Sequence, residues 1–87
     1  MAYSIIIKPA ANKALLKLPK TIQTRILNSL QRLIDNPRPS GSLKLQSSFE
    51  LYRIRVGDYR IIYAIDEQQI QILIATVGHR KDIYDSL

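Results

Sequence analysis

Cysteine is absent from this 87-residue chain. Without thiols the chain forms no disulfide, no thiol nucleophile and no cysteine-ligated metal site, which fits a reducing compartment, and we expect a cytoplasmic protein. Glycine and proline are scarce, at three and four residues, so the composition is that of a folded protein rather than a disordered one. The length predicts a single domain that spans residues 1–87.

Long apolar runs and acidic residues are scarce as well. The isoleucine run at residues 5–7 is too short for a signal-peptide core or a membrane span, so no membrane partner is expected. The 13 Lys and Arg residues outnumber the 7 Asp and Glu residues and leave a formal charge of +6, which favours an anionic partner such as nucleic acid or an acidic protein. The carboxylates are scattered over turns and chain ends without the spacing of metal ligands, so neither a metal nor a cofactor is expected.

The first half of the chain has helical periodicity. A short isoleucine-rich strand at residues 3–8 is followed by two helices, which are separated at Pro19 and end at Asn36-Pro37. Because almost nothing joins the two helices, they are predicted to form a helical hairpin. The second helix carries an apolar stripe made of Ile22, Ile26, Leu30, Leu33 and Ile34.

The second half predicts strands joined by short turns. After a loop at residues 38–42, the strands are Leu43–Leu45, Leu51–Val56, Tyr59–Asp66 and residues 69–77. Gly57-Asp58 suits a two-residue turn of type II′, because glycine accepts a positive φ. Glu67-Gln68 is predicted as a second two-residue turn, and residues 80–87 as a short C-terminal helix or tail.

The two turns set the strand register and therefore the two faces of the sheet. The second turn would place Ile65 opposite Ile70 and Tyr63 opposite Ile72. One face is then almost entirely apolar, with Tyr52, Ile54, Val56, Tyr59, Ile61, Tyr63, Ile65, Ile70, Ile72 and Ile74. The helical hairpin should cover this face. The predicted fold is thus α+β, with the hairpin packed on a mostly antiparallel sheet of four or five strands.

The opposite face combines arginine with apolar side chains. Arg53 and Arg55 alternate along one strand, and the register places Arg60 of the next strand directly opposite Arg55. Their predicted neighbours on this face are Leu51, Ile62, Leu73, Ala75 and Val77. Like charges directly opposite each other destabilise a sheet, so the cluster indicates a polyanionic partner that covers this face.

These residues carry a family resemblance. The runs YRIRVGDYRIIY at residues 52–63 and VGHRKDIY at residues 77–84, behind two helices separated at Pro19, resemble the RelE branch of the RelE/ParE toxin superfamily. The resemblance implies a microbial-ribonuclease-like fold and an mRNA interferase that cuts the message in the ribosomal A site. It also implies an acidic, partly helical RelB-like antitoxin and, for the toxin–antitoxin complex, binding to operator DNA.

The resemblance further implies the residues of the site. The catalytic set that it implies is Arg53, Arg55, Arg60, Arg80 and Tyr84. To these we add Lys44, His79 and Lys81 as expected RNA-binding residues, because their side chains are cationic or lie next to the predicted site. Guanidinium groups grip phosphate oxygens bidentately but do not deprotonate. We therefore expect Arg60 and Arg80 to clamp the reacting phosphate, Arg53 and Arg55 to hold the neighbouring backbone, and Tyr84 to stack on a base.

Two questions stay open at the level of sequence. The general base is His79, the only histidine, or Glu50, or a group that the ribosome supplies. The function itself has two competitors, which are a ParE-like inhibitor that binds DNA gyrase without nuclease chemistry and a catalytically inactive nucleic-acid-binding module that depends on counterion release.

Overall fold

The computed structural model describes residues 2–45 and 51–79. The predictions for Glu50, Arg80, Lys81 and Tyr84, and for the C-terminal helix or tail, lie outside these residues. The described elements are β1 (Ser4–Ile7), α1 (Pro9–Leu16), α2 (Lys20–Asp35), β2 (Leu43–Leu45), β3 (Leu51–Val56), β4 (Tyr59–Asp66) and β5 (Gln71–His79).

The five strands form one sheet in the order β1-β5-β4-β3-β2. Strand β1 runs parallel to β5, and the remaining neighbours are antiparallel. The predicted α+β fold is confirmed. Pro9 opens α1 at a position where its missing N–H costs nothing, and Pro19 occupies the N-cap of α2. No helix in the described ranges is long and apolar enough to cross a membrane.

The β3–β4 hairpin forms in the predicted register. Val56 lies opposite Tyr59, and Arg55 lies opposite Arg60. Gly57, the first turn residue, has a φ of +62°, a conformation that a residue with a Cβ adopts only with strain. Glycine at this position therefore sets the turn and, through it, the faces of both strands.

The connection between β4 and β5 differs from the prediction. The two-residue turn Glu67-Gln68 is wrong, because β5 begins at Gln71 and not at residue 69. Four residues make the turn, and Ile70 adopts a positive φ of 54°. Asp66 organises this turn, since its Oδ1 accepts the backbone N–H groups of the two following glutamines at 3.1 and 3.2 Å.

The longer turn shifts the register of β4 and β5 by two residues. Ile65 lies opposite Ile72 rather than Ile70, and Tyr63 lies opposite Ile74. Because side chains alternate with a period of two, this shift keeps the isoleucines of β5 on the core face. Ile70 leaves the predicted core set and lies partly exposed in the turn.

A β-bulge in β5 changes the faces further along the strand. Ala75 is the extra residue, because Ile74 and Thr76 lie opposite consecutive residues of β4. An extra residue reverses the alternation beyond it. Val77, predicted on the arginine face, is therefore opposite Ile61 and buried in the core.

The core lies between the helical hairpin and one face of the sheet. Both helices contribute to it, and the fully buried side chains include Ile26 and Leu33 from α2. Ile22 and Ile34, predicted on the same stripe, are only partly buried. The sheet supplies most of the remaining core, namely Tyr52, Ile54, Val56, Ile61, Tyr63, Ile65, Ile72, Ile74 and Val77.

Tyr63 ties the sheet to the loop that follows α2. Its hydroxyl donates a buried hydrogen bond of 2.7 Å to the carbonyl oxygen of Pro37, and burial raises the pKa of Tyr63 to about 12. Its ring stacks on Tyr52 at a centroid distance of 5.9 Å. The Arg38 guanidinium group also lies over the Tyr52 ring, with its central carbon 5.3 Å from the ring centroid.

We expect Tyr63→Phe to lower the free energy of unfolding by about 1–3 kcal/mol, since it leaves a buried carbonyl oxygen without its donor. Urea denaturation monitored by circular dichroism measures the change. The control is Tyr59→Phe, which removes the hydroxyl of a half-buried tyrosine and should change stability by less than about 0.5 kcal/mol. Equal effects of the two variants would contradict a structural role for the Tyr63–Pro37 bond.

Glu67 joins the N-terminal segment to the same loop. Its carboxylate accepts hydrogen bonds from the Tyr3 hydroxyl at 2.8 Å and from Arg38 Nη2 at 2.9 Å. The bond from Tyr3, followed by the bond from Arg38, lowers the pKa of Glu67. A lowered folded-state pKa means that the carboxylate stabilises the fold above its unfolded pKa of about 4.3 and loses that effect as the pH falls through the folded value.

We therefore expect the wild-type chain to be more stable than Glu67→Gln at pH 7, and we expect that difference to shrink at acid pH. Urea denaturation at pH 7 and near pH 3 measures it. A difference that stays constant or grows on acidification would mean that the carboxylate charge is not what stabilises this contact.

Candidate functional site

The β3–β4 hairpin gathers the three predicted arginines on one face of the sheet. Arg55 is the direct partner of Arg60, and Arg53 lies opposite Ile62. Directly opposed Cα atoms on antiparallel strands are about 4.5–5.5 Å apart, so the side chains of Arg55 and Arg60 start next to each other. Their mutual repulsion is unfavourable, and an anion bound between them would remove it.

Arg60 is the one charged residue among the buried side chains of the described chain, and it is only 8% exposed. Its Nε and Nη1 atoms are buried without a hydrogen-bond partner within the described residues. Buried donors in native proteins are almost always paired, and an unpaired one costs free energy. A guanidinium group in this state is suited to bind an anion, because the anion would satisfy its unpaired donors.

The neighbour of Arg60 on strand β5 is a glycine. Gly78 is its partner across the β4–β5 pair, so no side chain rises from the sheet on that side. The strand continues through Gly78 to His79 and does not end at the glycine. Arg60 thus lies between an arginine on β3 and a glycine on β5.

The three arginines differ in exposure. Arg60 is buried, Arg53 is partly buried, and Arg55 is exposed. Ile62 is fully buried on the same face, so the floor of the cluster is apolar. An apolar surrounding strengthens the attraction between a guanidinium group and a bound anion, because it lowers the local dielectric.

Two of the predicted RNA-binding residues do not join this cluster. Lys44 is paired with Tyr52, and His79 is paired with Tyr59. Both tyrosine positions alternate with the arginines and face the helices, so Lys44 and His79 project from the other face. The His79 ring packs edge-on against Tyr59 at a centroid distance of 5.6 Å. This position separates His79 from the arginine cluster, where a general base would act.

The structure adds two arginines that are not among the predicted site residues. Arg25 and Arg32 of α2 line a polar concavity together with Arg55 of the cluster. A spacing of seven residues puts two helix positions on the same face, which is a signal present in the sequence. Only the packing of α2 beside β3 shows that this face meets the arginine strand.

Comparison with known proteins decides the family. The family described as the ParE toxin of the type II toxin–antitoxin system, parDE, matches residues 5–84. The toxin RelE of Mycobacterium tuberculosis is 31% identical over 84 residues, which cover 94% of this chain and 86% of the relative. The chain belongs to the RelE/ParE toxin superfamily.

Solved structures agree with this assignment. A chain of the archaeal RelE–RelB complex from Pyrococcus horikoshii is 34% identical, with a TM-score of 0.82 over 92% of this chain and 97% of the other. The RelB–RelE complex from Methanococcus jannaschii is matched at 28% identity, with a TM-score of 0.73 over 94% and 98% of the two chains. The chain is therefore a RelE-like toxin of a type II toxin–antitoxin system.

We expect Arg60→Met to raise the free energy of unfolding of this RelE-like toxin by about 1–3 kcal/mol, since it removes buried, unpaired donors and keeps an apolar side chain of similar length. Urea denaturation in phosphate-free buffer measures the change. The matched control is Arg55→Met on the exposed neighbour, which relieves only the mutual repulsion and should change stability by less than about 1 kcal/mol.

A loss of stability in Arg60→Met that exceeds the change in Arg55→Met would contradict this reading. The buried guanidinium group would then stabilise the fold rather than bind a ligand.

Proposed function

We propose that this RelE-like toxin is a ribosome-dependent mRNA interferase that cuts the message in the ribosomal A site. The observation that carries the proposal is the buried Arg60 guanidinium group, two of whose donor atoms are unpaired in the part of the chain that the structure describes, and which lies next to Arg55. A phosphodiester supplies the two features that this cluster needs, namely negative charge and acceptor oxygens in a bidentate arrangement. The named RelE relatives support the same class of toxin.

The proposed reaction uses the nucleophile that RNA itself carries. The 2′-oxygen attacks the adjacent phosphorus, the bond from phosphorus to the 5′-oxygen breaks, and the 2′-hydroxyl proton leaves while the 5′-oxygen gains one. The products are a 2′,3′-cyclic phosphate and a 5′-hydroxyl. The enzyme must hold this in-line geometry and stabilise the charge that develops on the phosphate oxygens.

The arginines suit the electrostatic part of this reaction. Arg60 and Arg80 clamp the reacting phosphate, and Arg53 and Arg55 hold the adjoining backbone and increase the acidity of the 2′-hydroxyl. Tyr84 stacks on a base next to the cut. Arginine does not deprotonate near neutral pH, so the two proton transfers fall to groups outside the arginine cluster. The proposed dependence on the ribosome is consistent with this assignment, since the ribosome positions the message and supplies polar groups for the two proton transfers.

We also propose a RelB-like antitoxin as the cognate partner in the cytoplasm. The solved relatives from Pyrococcus horikoshii and Methanococcus jannaschii are complexes with RelB. The chain carries a formal charge of +6, and the arginine face is the part of the sheet that the helices leave uncovered. An acidic, partly helical antitoxin would cover this face and neutralise the cluster.

The second candidate is inhibition of DNA gyrase without nuclease chemistry. The matching family is described as the ParE toxin, which is the observation that favours it. A protein-binding toxin has no need of a buried guanidinium group with unpaired donors, whereas a phosphate-binding enzyme does. We therefore rank the interferase first.

We expect expression of the wild-type toxin to produce message cuts inside translated codons, and Arg60→Met or Arg80→Ala to reduce cleavage by about 100- to 1000-fold, the usual effect of removing one such electrostatic contact. Primer extension on messages from expressing cells maps the cuts, and end-group analysis identifies the cyclic phosphate. The control Lys13→Gln removes one charge from the exposed side of α1 and should cut like the wild type.

Arrested replication with intact message would overturn the interferase in favour of the gyrase inhibitor. A 3′-hydroxyl at the cut would exclude attack by the 2′-oxygen. Normal cleavage by a folded Arg80→Ala variant would remove that residue from the mechanism.

A further inference from the structure

Two adjoining concavities separate α2 from β3 and the loop before β2. Their volumes are about 260 and 270 Å³. Ser29, Arg32 and Arg55 line both of them, so the two form one continuous groove. We call it the α2–β3 groove, and its lining residues are Arg25, Asn28, Ser29, Arg32, Leu33, Pro39, Ser40, Gly41, Ile54, Arg55, Val56 and Gly57.

The lining of the α2–β3 groove is cationic. It includes the guanidinium groups of Arg25, Arg32 and Arg55 and the donor groups of Asn28 and Ser29, and none of the lining residues that the structure describes carries a carboxylate. Arginine offers donors and no acceptor. The three positive charges around this volume of about 270 Å³ are more than a single carboxylate would neutralise. A chain of phosphates carries enough negative charge to neutralise them.

Arg25 is held at one end of the groove by the hairpin turn. A Cβ atom at Gly57 would lie 3.4 Å from Arg25 Nη1, so the guanidinium group packs directly on the backbone of this glycine. Arg32 lies two helical turns further along the same face of α2. The turn that sets the register of the arginine strand thus also positions Arg25.

The other end of the groove is apolar. Leu33, Pro39 and Ile54 line the concavity that Arg32 and Arg55 share with the loop. A nucleotide has the same division, with a charged phosphate beside the less polar faces of its ribose and base. A groove that is cationic at one end and apolar at the other therefore fits nucleic acid.

Arg55 connects the groove to the cluster around Arg60. It lines both concavities, and it is the direct partner of Arg60 in the hairpin. We propose that the α2–β3 groove holds the phosphodiester backbone of single-stranded RNA next to the phosphate at Arg60, with Arg25 and Arg32 as positioning residues. This inference rests on the proposed function, since it extends the path of the RNA from the proposed point of cleavage.

An acidic peptide is the other ligand that such charges attract. The continuity through Arg55 favours RNA, because an RNA strand held at Arg60 has its next phosphates beside Arg55 and the groove. A peptide would require no such connection to a buried guanidinium group. The experiment must therefore measure RNA binding itself and not only the charge of the surface.

The test measures binding of the full-length toxin to a 2′-O-methyl RNA oligonucleotide, which cannot be cut by 2′-oxygen attack, at several NaCl concentrations. The double variant Arg25→Gln/Arg32→Gln should bind about 10-fold more weakly at 0.15 M salt. The negative slope of log K against log [NaCl] should become shallower by about 1.4, which is about 0.7 for each lost contact to single-stranded phosphate. Arg25→Lys/Arg32→Lys should restore the slope, because each lysine still releases a counterion.

The matched control is Lys13→Gln/Lys17→Gln, which removes the same charge from exposed positions in α1 and directly after it. It should keep the wild-type slope. Urea denaturation of each variant confirms that the fold is intact. On ribosome-bound message, Arg25→Gln/Arg32→Gln should raise KM with little change in kcat, as expected for residues that position the substrate.

A salt dependence that becomes equally shallow in the control and in the groove variant would overturn the inference. So would a groove variant that binds RNA like the wild type but binds an acidic antitoxin more weakly. This failure is distinct from failure of the proposed function. If Arg60→Met abolishes cleavage while the groove variant binds RNA normally, the proposed mRNA interferase activity is supported and RNA binding by the α2–β3 groove is excluded. If the wild-type toxin fails to cut message on ribosomes, the proposed mRNA interferase activity is excluded, whichever ligand the groove binds.

Discussion

The alternation of side chains along the β3–β4 hairpin is the constraint on which the site and the core both depend. A turn of two residues at Gly57, held at a φ of +62°, places Ile54 and Val56 under the helices and Arg55 and Arg60 on the opposite face. A slip of one residue would turn one of the two strands over, so that its arginine side chains would face the helices and its core side chains would face water. The free energy of apolar burial thereby also aligns the arginines.

The arginine cluster lowers the stability of the fold locally, and the packing of the rest of the domain offsets this cost. Two buried guanidinium donor atoms of Arg60 that find no hydrogen-bond partner among residues 2–45 and 51–79 are unfavourable. Two like charges in register are unfavourable as well. Arg60 nonetheless sits among buried isoleucines, with Ile61 and Ile62 fully buried beside it in β4, and its backbone is fixed by paired strands on both sides. A rigid sheet holds these donors in place before a ligand arrives, which is the arrangement that favours electrostatic catalysis.

Short-range signals predicted most of the fold. The glycine turn, the apolar stripe of α2 and the proline between the helices each act within a few residues, and the structure confirms the elements that they predict. The β4–β5 pairing was wrong because its determinants are weaker in sequence. Asp66 builds a four-residue turn through its own carboxylate, and the bulge at Ala75 has no sequence signature that separates it from regular strand. Val77 therefore joined the core against expectation.

The sequence alone determined the hairpin register, the helical cover and the alignment of Arg53, Arg55 and Arg60, because each follows from the period of side chains along a strand or helix. Only the tertiary structure decided which of these arginines is buried, which predicted residues lie on the other face, and that Arg25 and Arg32 meet Arg55 across a groove. Burial and proximity between distant segments depend on how helices and strands pack, and no local pattern encodes the distance between α2 and β3.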